Sequence, residues 1–158
     1  MNLIVAVDKN WGIGKNNDLL ISIPEDMNFF RTTTNEKTII MGRKTLESFP
    51  NGNPLKNREN IVLSTNNINK DVLVFHTIED ILSYVKDKED VFIIGGGSIY
   101  KQFLPYCCKA YITKINKDFD ADVFFPNLDE LSDWNITYET NEKFWKNIPY
   151  KFVTYEKK

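Results

Sequence analysis

Over the first two thirds of the chain, short runs of branched and aromatic residues alternate with amphipathic stretches, and that alternation leaves few folds open. The runs Leu3–Val7, Thr38–Met41, Asn60–Ser64, Val72–Phe75, Val91–Ile94 and Lys109–Ile115 are dense in apolar residues, as strands of a mainly parallel sheet are. Between them, Pro24–Thr33, Lys44–Phe49, Ile78–Lys86 and Ser98–Leu104 carry helical spacing and helix-start residues. After Ile115 no helix is expected, and Trp134–Glu139 and Phe152–Glu156 read as strands. Strands joined through helices lie parallel, whereas strands that follow one another directly pair antiparallel. The pattern therefore predicts an α/β fold with a mainly parallel sheet, finished by an antiparallel C-terminal hairpin.

Composition narrows the function classes. The 158 residues suit one domain, and 42% hydrophobic against 27% charged residues is enough to bury one core. A formal net charge of −2 without long runs of one sign suggests neither a nucleic-acid nor a membrane partner. The apolar N-terminal run is broken at Asp8 and lacks a basic leader, so it does not read as a signal peptide. Cys107 and Cys108 are adjacent, a spacing that rarely forms a disulfide, and a single histidine leaves no zinc set or Ser-His-Asp triad. No metal is expected, and the reducing cytoplasm is the expected compartment.

Four segments carry chemistry. Lys9–Ile23 is a polar stretch of about fifteen residues with Gly12 and Gly14, and a structureless loop of that length in a small domain is usually functional. In IPEDMNFFRTT, Pro24 suits the first helical position, and Asp26 borders the apolar face of Met27 and Phe30. Such an acid is ordinary N-terminal capping chemistry, or else a carboxyl at the mouth of an apolar pocket. In VFIIGGGSIYKQF a strand enters Gly95, Gly96 and Gly97 and then a helix. That junction suits either a tight turn or close approach of a phosphate, although Tyr100 departs from the G-x-G-x-x-G pattern. A second such junction, IIMGRKTLES, sets Arg43, Lys44 and Thr45 after Gly42, either as a solvated basic pair or as a phosphate site.

Taken in order, VAVDKNWGIGKNNDLL, IPEDMNFF, IIMGRKTLES, NRENIVLS, FIIGGGSIYKQFLP and AYITKI resemble bacterial dihydrofolate reductase, from Leu3 to about Pro126 and more weakly beyond. The resemblance implies a single domain over residues 1–158, with a mostly parallel eight-stranded sheet flanked by four helices. It also implies NADPH-dependent reduction of dihydrofolate to tetrahydrofolate, by hydride transfer to pterin C6, in a cytoplasmic monomer. By the same resemblance Asp26 is the catalytic acid, supported by Thr113. Ile4, Val5, Met27, Phe30, Phe49, Leu55 and Ile94 form the pterin and p-aminobenzoyl slot, and Ile4 and Ile94 offer carbonyls. Arg58 takes the substrate's glutamate α-carboxylate, with Arg31 at the entrance. The nicotinamide side falls to Ala6, Ile13, Gly14, Asn17, Asp18 and Leu19 on a mobile loop. Gly42, Arg43, Lys44 and Thr45 take phosphates; Leu63, Ser64, Thr65 and His76 flank the adenosine. Gly95, Gly96, Gly97, Ser98, Ile99, Tyr100 and Gln102 wall the pyrophosphate, and the family's Gly95–Gly96 peptide is cis. Two departures from the family pattern matter. Leu19-Leu20-Ile21 replaces Leu-Pro-Trp, which removes a water-anchoring indole, and Ser98 stands where a basic residue is usual. Two other readings share parts of the pattern: a pyrimidine reductase of riboflavin synthesis and a catalytically silent nucleotide-binding module.

Overall fold

The computed structural model describes every residue from Met1 to Lys158. Strand β1 (Asn2–Val7) leads into two short strands, β2 (Gly12–Lys15) and β3 (Asp18–Leu19), and then helix α1 (Pro24–Thr34). Next come β4 (Thr38–Gly42), α2 (Arg43–Glu47), β5 (Glu59–Leu63), β6 (Leu73–Phe75), α3 (Ile78–Val85), β7 (Val91–Gly95) and α4 (Gly97–Phe103). Strands alone then follow, apart from short 3₁₀ turns: β8 (Lys109–Ile115), β9 (Val123–Phe124), β10 (Trp134–Glu139), β11 (Lys143–Trp145) and β12 (Ile148–Lys157).

The main sheet runs β10-β12-β8-β1-β7-β4-β5-β6. Neighbours from β8 to β6 are parallel, β12 is antiparallel to both β8 and β10, and β11 folds back on β12 as a hairpin. The eight strands of the path and the four α-helices agree with the expectation; β11 is additional.

Period-two alternation explains why the central strands carry apolar residues on both faces. Leu3, Val5, Val7, Ile40, Ile93 and Ile112 face the side covered by Ile81 and Val85 of α3 and Ile99 and Phe103 of α4. Ile4, Ile39, Met41 and Phe92 face the opposite side, with Leu46 of α2 and Phe29 and Phe30 of α1. The chain builds β1, β4, β5 and β6 outward, then returns to insert β7 between β1 and β4. Carboxyl ends of β1, β4 and β7 therefore meet where the strand order reverses, the usual place for a ligand crevice in an open α/β sheet.

Two expectations need correction. Lys9–Ile23 is not structureless. Strands β2 and β3 pair around Asn16 and Asn17, whose φ values are 51° and 65°, and β2 also pairs with β9. Asn in the left-handed region is typical hairpin-turn chemistry, but the third strand lies more than a hundred residues away, where local pattern cannot find it. The root of this hairpin is pinned by buried Asp8, whose carboxylate accepts backbone N–H bonds from Asn10 and Gly12, both 2.8 Å, and from Phe119 at 3.2 Å. Strand β12 begins at Ile148 rather than Phe152. Pro149 argues against a strand on local grounds. Here it has no N–H to lose from the ladder, and its carbonyl accepts from the Asn116 N–H at 2.8 Å. No helix of the chain is long and apolar enough to cross a membrane.

Candidate active site

Helix α1 starts at Pro24, and its first hydrogen bond runs from the Met27 N–H to the Ile23 carbonyl at 2.9 Å. Asp26 sits in that first turn, but not as a solvated cap. It is half-buried, and the Thr113 hydroxyl, itself only 2% exposed on β8, donates to its carboxylate at 2.5 Å. Burial lifts the Asp26 carboxyl above the ordinary carboxylate range, and the Thr113 bond opposes that rise without cancelling it. Glu25 shows what an exposed first-turn acid does in this chain: it accepts from the Tyr150 hydroxyl at 2.8 Å and faces Lys143 at 3.6 Å.

Beside Asp26, residues Ile4, Phe30, Phe49, Leu55 and Ile94 belong to one apolar cluster, most of them only partly covered. Met27 is 54% and Leu19 77% exposed, so two large apolar side chains stand in solvent close to this cluster in the chain. Val5 does not join them; its side chain lies on the far side of the sheet, so it can offer only backbone here. Arg58 borders the cluster, its guanidinium carbon 6.0 Å from the Phe30 ring centroid. It meets no carboxylate. Its outer nitrogens donate to the carbonyls of Lys56 at 3.2 Å and Arg31 at 3.4 Å, and its Nε is buried without a partner. Burial, and then the charge of Arg31, lower the Arg58 pKa. Arg31 itself reaches only Asn28, at 3.3 Å. Two guanidiniums with no acid between them form a site for an anion.

The second group gathers at the ends of β4 and β7. Gly95 has φ +124° with the Tyr100 ring packed against it, and the Gly95–Gly96 peptide is cis, as the resemblance implied. A Cβ at Gly97 would stand 2.6 Å from Val123 and 3.9 Å from Ile13, so only glycine lets the β2–β9 sheet close on this turn. Thr45 Oγ1 lies 3.7 Å from the Cβ position of Gly96, which brings the two glycine junctions together. Ile99 packs beneath Gly42. Asn17, Asp18 and Leu19 lie exposed at the hairpin tip, next to Gly14. Ala6 packs instead with Ile23, Ile115 and Tyr150, in the cluster that also takes Ile21.

Arg43 is engaged, donating to both carboxylate oxygens of Glu47 at 2.7 Å, whereas exposed Lys44 has no ion-pair partner. Near the ends of β5 and β6, the His76 Nδ1 lies 2.6 Å from the Ser64 carbonyl, so that nitrogen carries the proton. Leu63 is half-buried before Ser64, and Thr65 is exposed after it. Gln102 donates to the Ser98 carbonyl at 3.2 Å, back along α4.

One contact had no sequence signal. The Tyr100 hydroxyl donates to the Ile4 carbonyl at 2.7 Å, joining α4 to β1 across ninety-six positions. Burial, and then the charge of Asp26, raise its pKa, so it stays a neutral donor. The arrangement combines a protonatable carboxyl at an apolar wall, an unpaired cation at one end, and paired glycine junctions at the other. Such a site can hold a flat, polar-edged ring against a phosphate-bearing ligand and move a proton between them.

A sequence model described as "Dihydrofolate reductase" matches residues 1–157. The chain is 40% identical to dihydrofolate reductase of Bacillus subtilis (strain 168), covering 100% of this chain and 95% of the relative. It is 42% identical to that of Staphylococcus haemolyticus, covering 99% and 95%. Its fold is similar to the solved structure of dihydrofolate reductase from Enterococcus faecalis complexed with NADP(H) and RAB-propyl. The TM-score is 0.88 at 33% identity, over 99% of this chain and 95% of that one.

Proposed function

The chain belongs to the dihydrofolate reductase family, and we propose that it reduces 7,8-dihydrofolate to 5,6,7,8-tetrahydrofolate with NADPH, at a site built around Asp26. The observation that carries the site is the Asp26 carboxyl, held by Thr113 with a raised pKa at the edge of the apolar cluster.

NADPH supplies a hydride from nicotinamide C4, and the pterin accepts it at C6 with a proton at N5. The chain's residues bind, orient and protonate. Asp26 grips the aminopyrimidine edge, and burial raises its pKa and so favours the protonated form that can give a proton to the pterin. Thr113 holds the carboxylate in one orientation. The carbonyls of Ile4 and Ile94 take amino protons of the pterin; that of Ile4 already accepts from Tyr100 and keeps one lone pair. Met27, Phe30, Phe49 and Leu55 cover the rings. Arg58, helped by Arg31, takes the glutamate tail, a role supported by its orphaned Nε. The β2–β3 hairpin with Ala6, Ile13, Gly14, Asn17, Asp18 and Leu19 closes over the reacting centre and excludes water.

The residues present suit NADPH. The Cβ position of Gly96 has only the Thr45 hydroxyl oxygen near it, at 3.7 Å, so a phosphate can approach the backbone there with that hydroxyl beside it. Lys44, an exposed cation without an ion-pair partner, takes the 2′-phosphate, and Arg43, now paired with Glu47, is the second cation beside it. Ser98, Ile99, Tyr100 and Gln102 line the pyrophosphate side, and Leu63, Ser64, Thr65 and His76 the adenosine. The enzyme acts as a single-domain cytoplasmic monomer on small molecules, without nucleic acid or membrane. Two unbridged cysteines suit a reducing compartment, and the weak net charge of −2 gives nucleic acid no footprint.

Replacing Arg43 and Lys44 together by neutral residues should weaken NADPH roughly tenfold or more while changing NADH much less, since only the 2′-phosphate differs. Glu47→Gln, which frees Arg43, should tighten NADPH. Both effects should fade with rising ionic strength, because these charges are exposed. Fluorescence titration of both cofactors is the check; parallel losses would move these residues to the pyrophosphate or the fold.

A further inference from the structure

On the face of the sheet opposite Asp26, a closed polar triangle sits among aromatic rings. Lys114 Nζ donates to Asp129 at 3.0 Å and to the Tyr155 hydroxyl at 3.1 Å, and that hydroxyl donates to the second oxygen of Asp129 at 2.7 Å. The same ammonium lies 5.2 Å from the Trp11 ring centroid. Trp11 is 7% exposed, stacks on Phe125 at 6.2 Å and meets the Tyr155 ring edge-on at 6.0 Å. Its backbone is held too: the Trp11 carbonyl accepts from the Phe125 N–H at 2.8 Å. Tyr155 and Asp129 sit in environments that fit this wiring. Burial, and then its bond to Asp129, raise the Tyr155 pKa; at Asp129, burial pushes upward, but bonds from Tyr155 and Lys114 carry the carboxyl below its ordinary value.

Trp11 immediately precedes β2, the first strand of the hairpin at the active site. Lys114 immediately follows Thr113, which holds Asp26 from the other side of the same strand. An ammonium over an indole face and a tyrosine edge on it fix one ring orientation, and thereby the direction in which the backbone leaves for Gly12. Resting on the dihydrofolate reductase reading, we propose that Lys114, Asp129 and Tyr155 are positioning residues for hydride transfer, acting through Trp11 to hold the Gly12–Leu19 hairpin in its closed register.

Lys114→Met should slow single-turnover hydride transfer roughly three- to thirtyfold, the range for mutations that couple to a site without touching it. It should raise the KM for NADPH and leave that for dihydrofolate unchanged, and Lys114→Arg should restore most of the rate. With Trp11→Leu already in place, Lys114→Met should add nothing. Tyr155→Phe keeps the ring edge and removes only the hydroxyl. It should shift the same two parameters by a smaller factor, and it serves if Trp11→Leu does not fold. Backbone hydrogen exchange over residues 12–19, measured without substrate, should quicken in Lys114→Met and return in Lys114→Arg. That readout tests the cage even in a chain that reduces no dihydrofolate, so failure of the family reading would be seen separately. A lowered melting temperature with hydride transfer and exchange unchanged would make the triangle purely structural. Equal losses in both Trp11 backgrounds would remove Trp11 from the coupling; either result overturns the proposal.

Discussion

Asp26→Asn is expected to fold, to melt higher than the parent at pH 7, and to turn over dihydrofolate roughly 10²–10⁴-fold more slowly, the usual worth of a positioned acid. Both shifts follow from one cause. Burial raises the Asp26 pKa above the ordinary aspartate value of 3.8. A carboxyl raised in the folded state lends stability that is fully present below the unfolded value and is lost as pH rises through the folded one. At pH 7 ionisation is harder in the folded parent than in its unfolded chain, a cost that asparagine does not carry, while asparagine still accepts the Thr113 hydroxyl. The melting difference should shrink as the pH falls through the raised folded value and be gone below 3.8, where both side chains are neutral. Calorimetry across that range, beside steady-state rates, is the check. A folded variant with near-parent turnover would take the acid role away from Asp26; a lower melting temperature at pH 7 would show that the carboxylate is not penalised by burial.

Arg58→Leu should raise the KM for dihydrofolate roughly ten- to hundredfold and leave that for NADPH near the parent value. A hydrogen bond between charged groups is worth about 1.5–3 kcal/mol, which sets that range. The melting temperature should not fall. Arg58 has no carboxylate partner to lose, and its removal ends both a buried unpaired Nε and the repulsion of Arg31. Most proteins lose stability when a half-buried arginine is truncated, so this combination is distinctive. Binding of a pterin without a glutamate tail serves as the control. If its affinity drops as far as that of dihydrofolate, Arg58 shapes the slot rather than gripping the tail.

Much of the fold was legible because the strands are covered on both faces and so advertise themselves. The bounds of β8 and β10 agree residue for residue with the sequence reading, and the parallel order follows from helices lying between strands. Legibility stopped where partners are distant. The β2–β3 hairpin was hidden in a polar stretch whose stabilising strand, β9, lies far along the chain. Pro149 hid the first half of β12. In the site, Asp26 and the glycine junctions stood out by residue type and spacing and Thr113 by resemblance alone, and the geometry adds which of them touch. The Tyr100–Ile4 bond, the Arg43–Glu47 pair and the Trp11 cage are contacts between side chains unremarkable in sequence, visible only once packing brings them together.

The most direct test of a raised Asp26 carboxyl driving dihydrofolate reduction is the pH profile of hydride transfer from NADPH to dihydrofolate in a single turnover. Transfer depends on a proton that Asp26 helps to supply, so the rate should be level at low pH. It should then fall about tenfold per unit above an apparent pKa that lies higher than 3.8. In Asp26→Asn that bend should disappear from a much slower rate. A flat profile in the parent, or NADPH oxidised by a pyrimidine intermediate of riboflavin synthesis and not by dihydrofolate, would contradict the account.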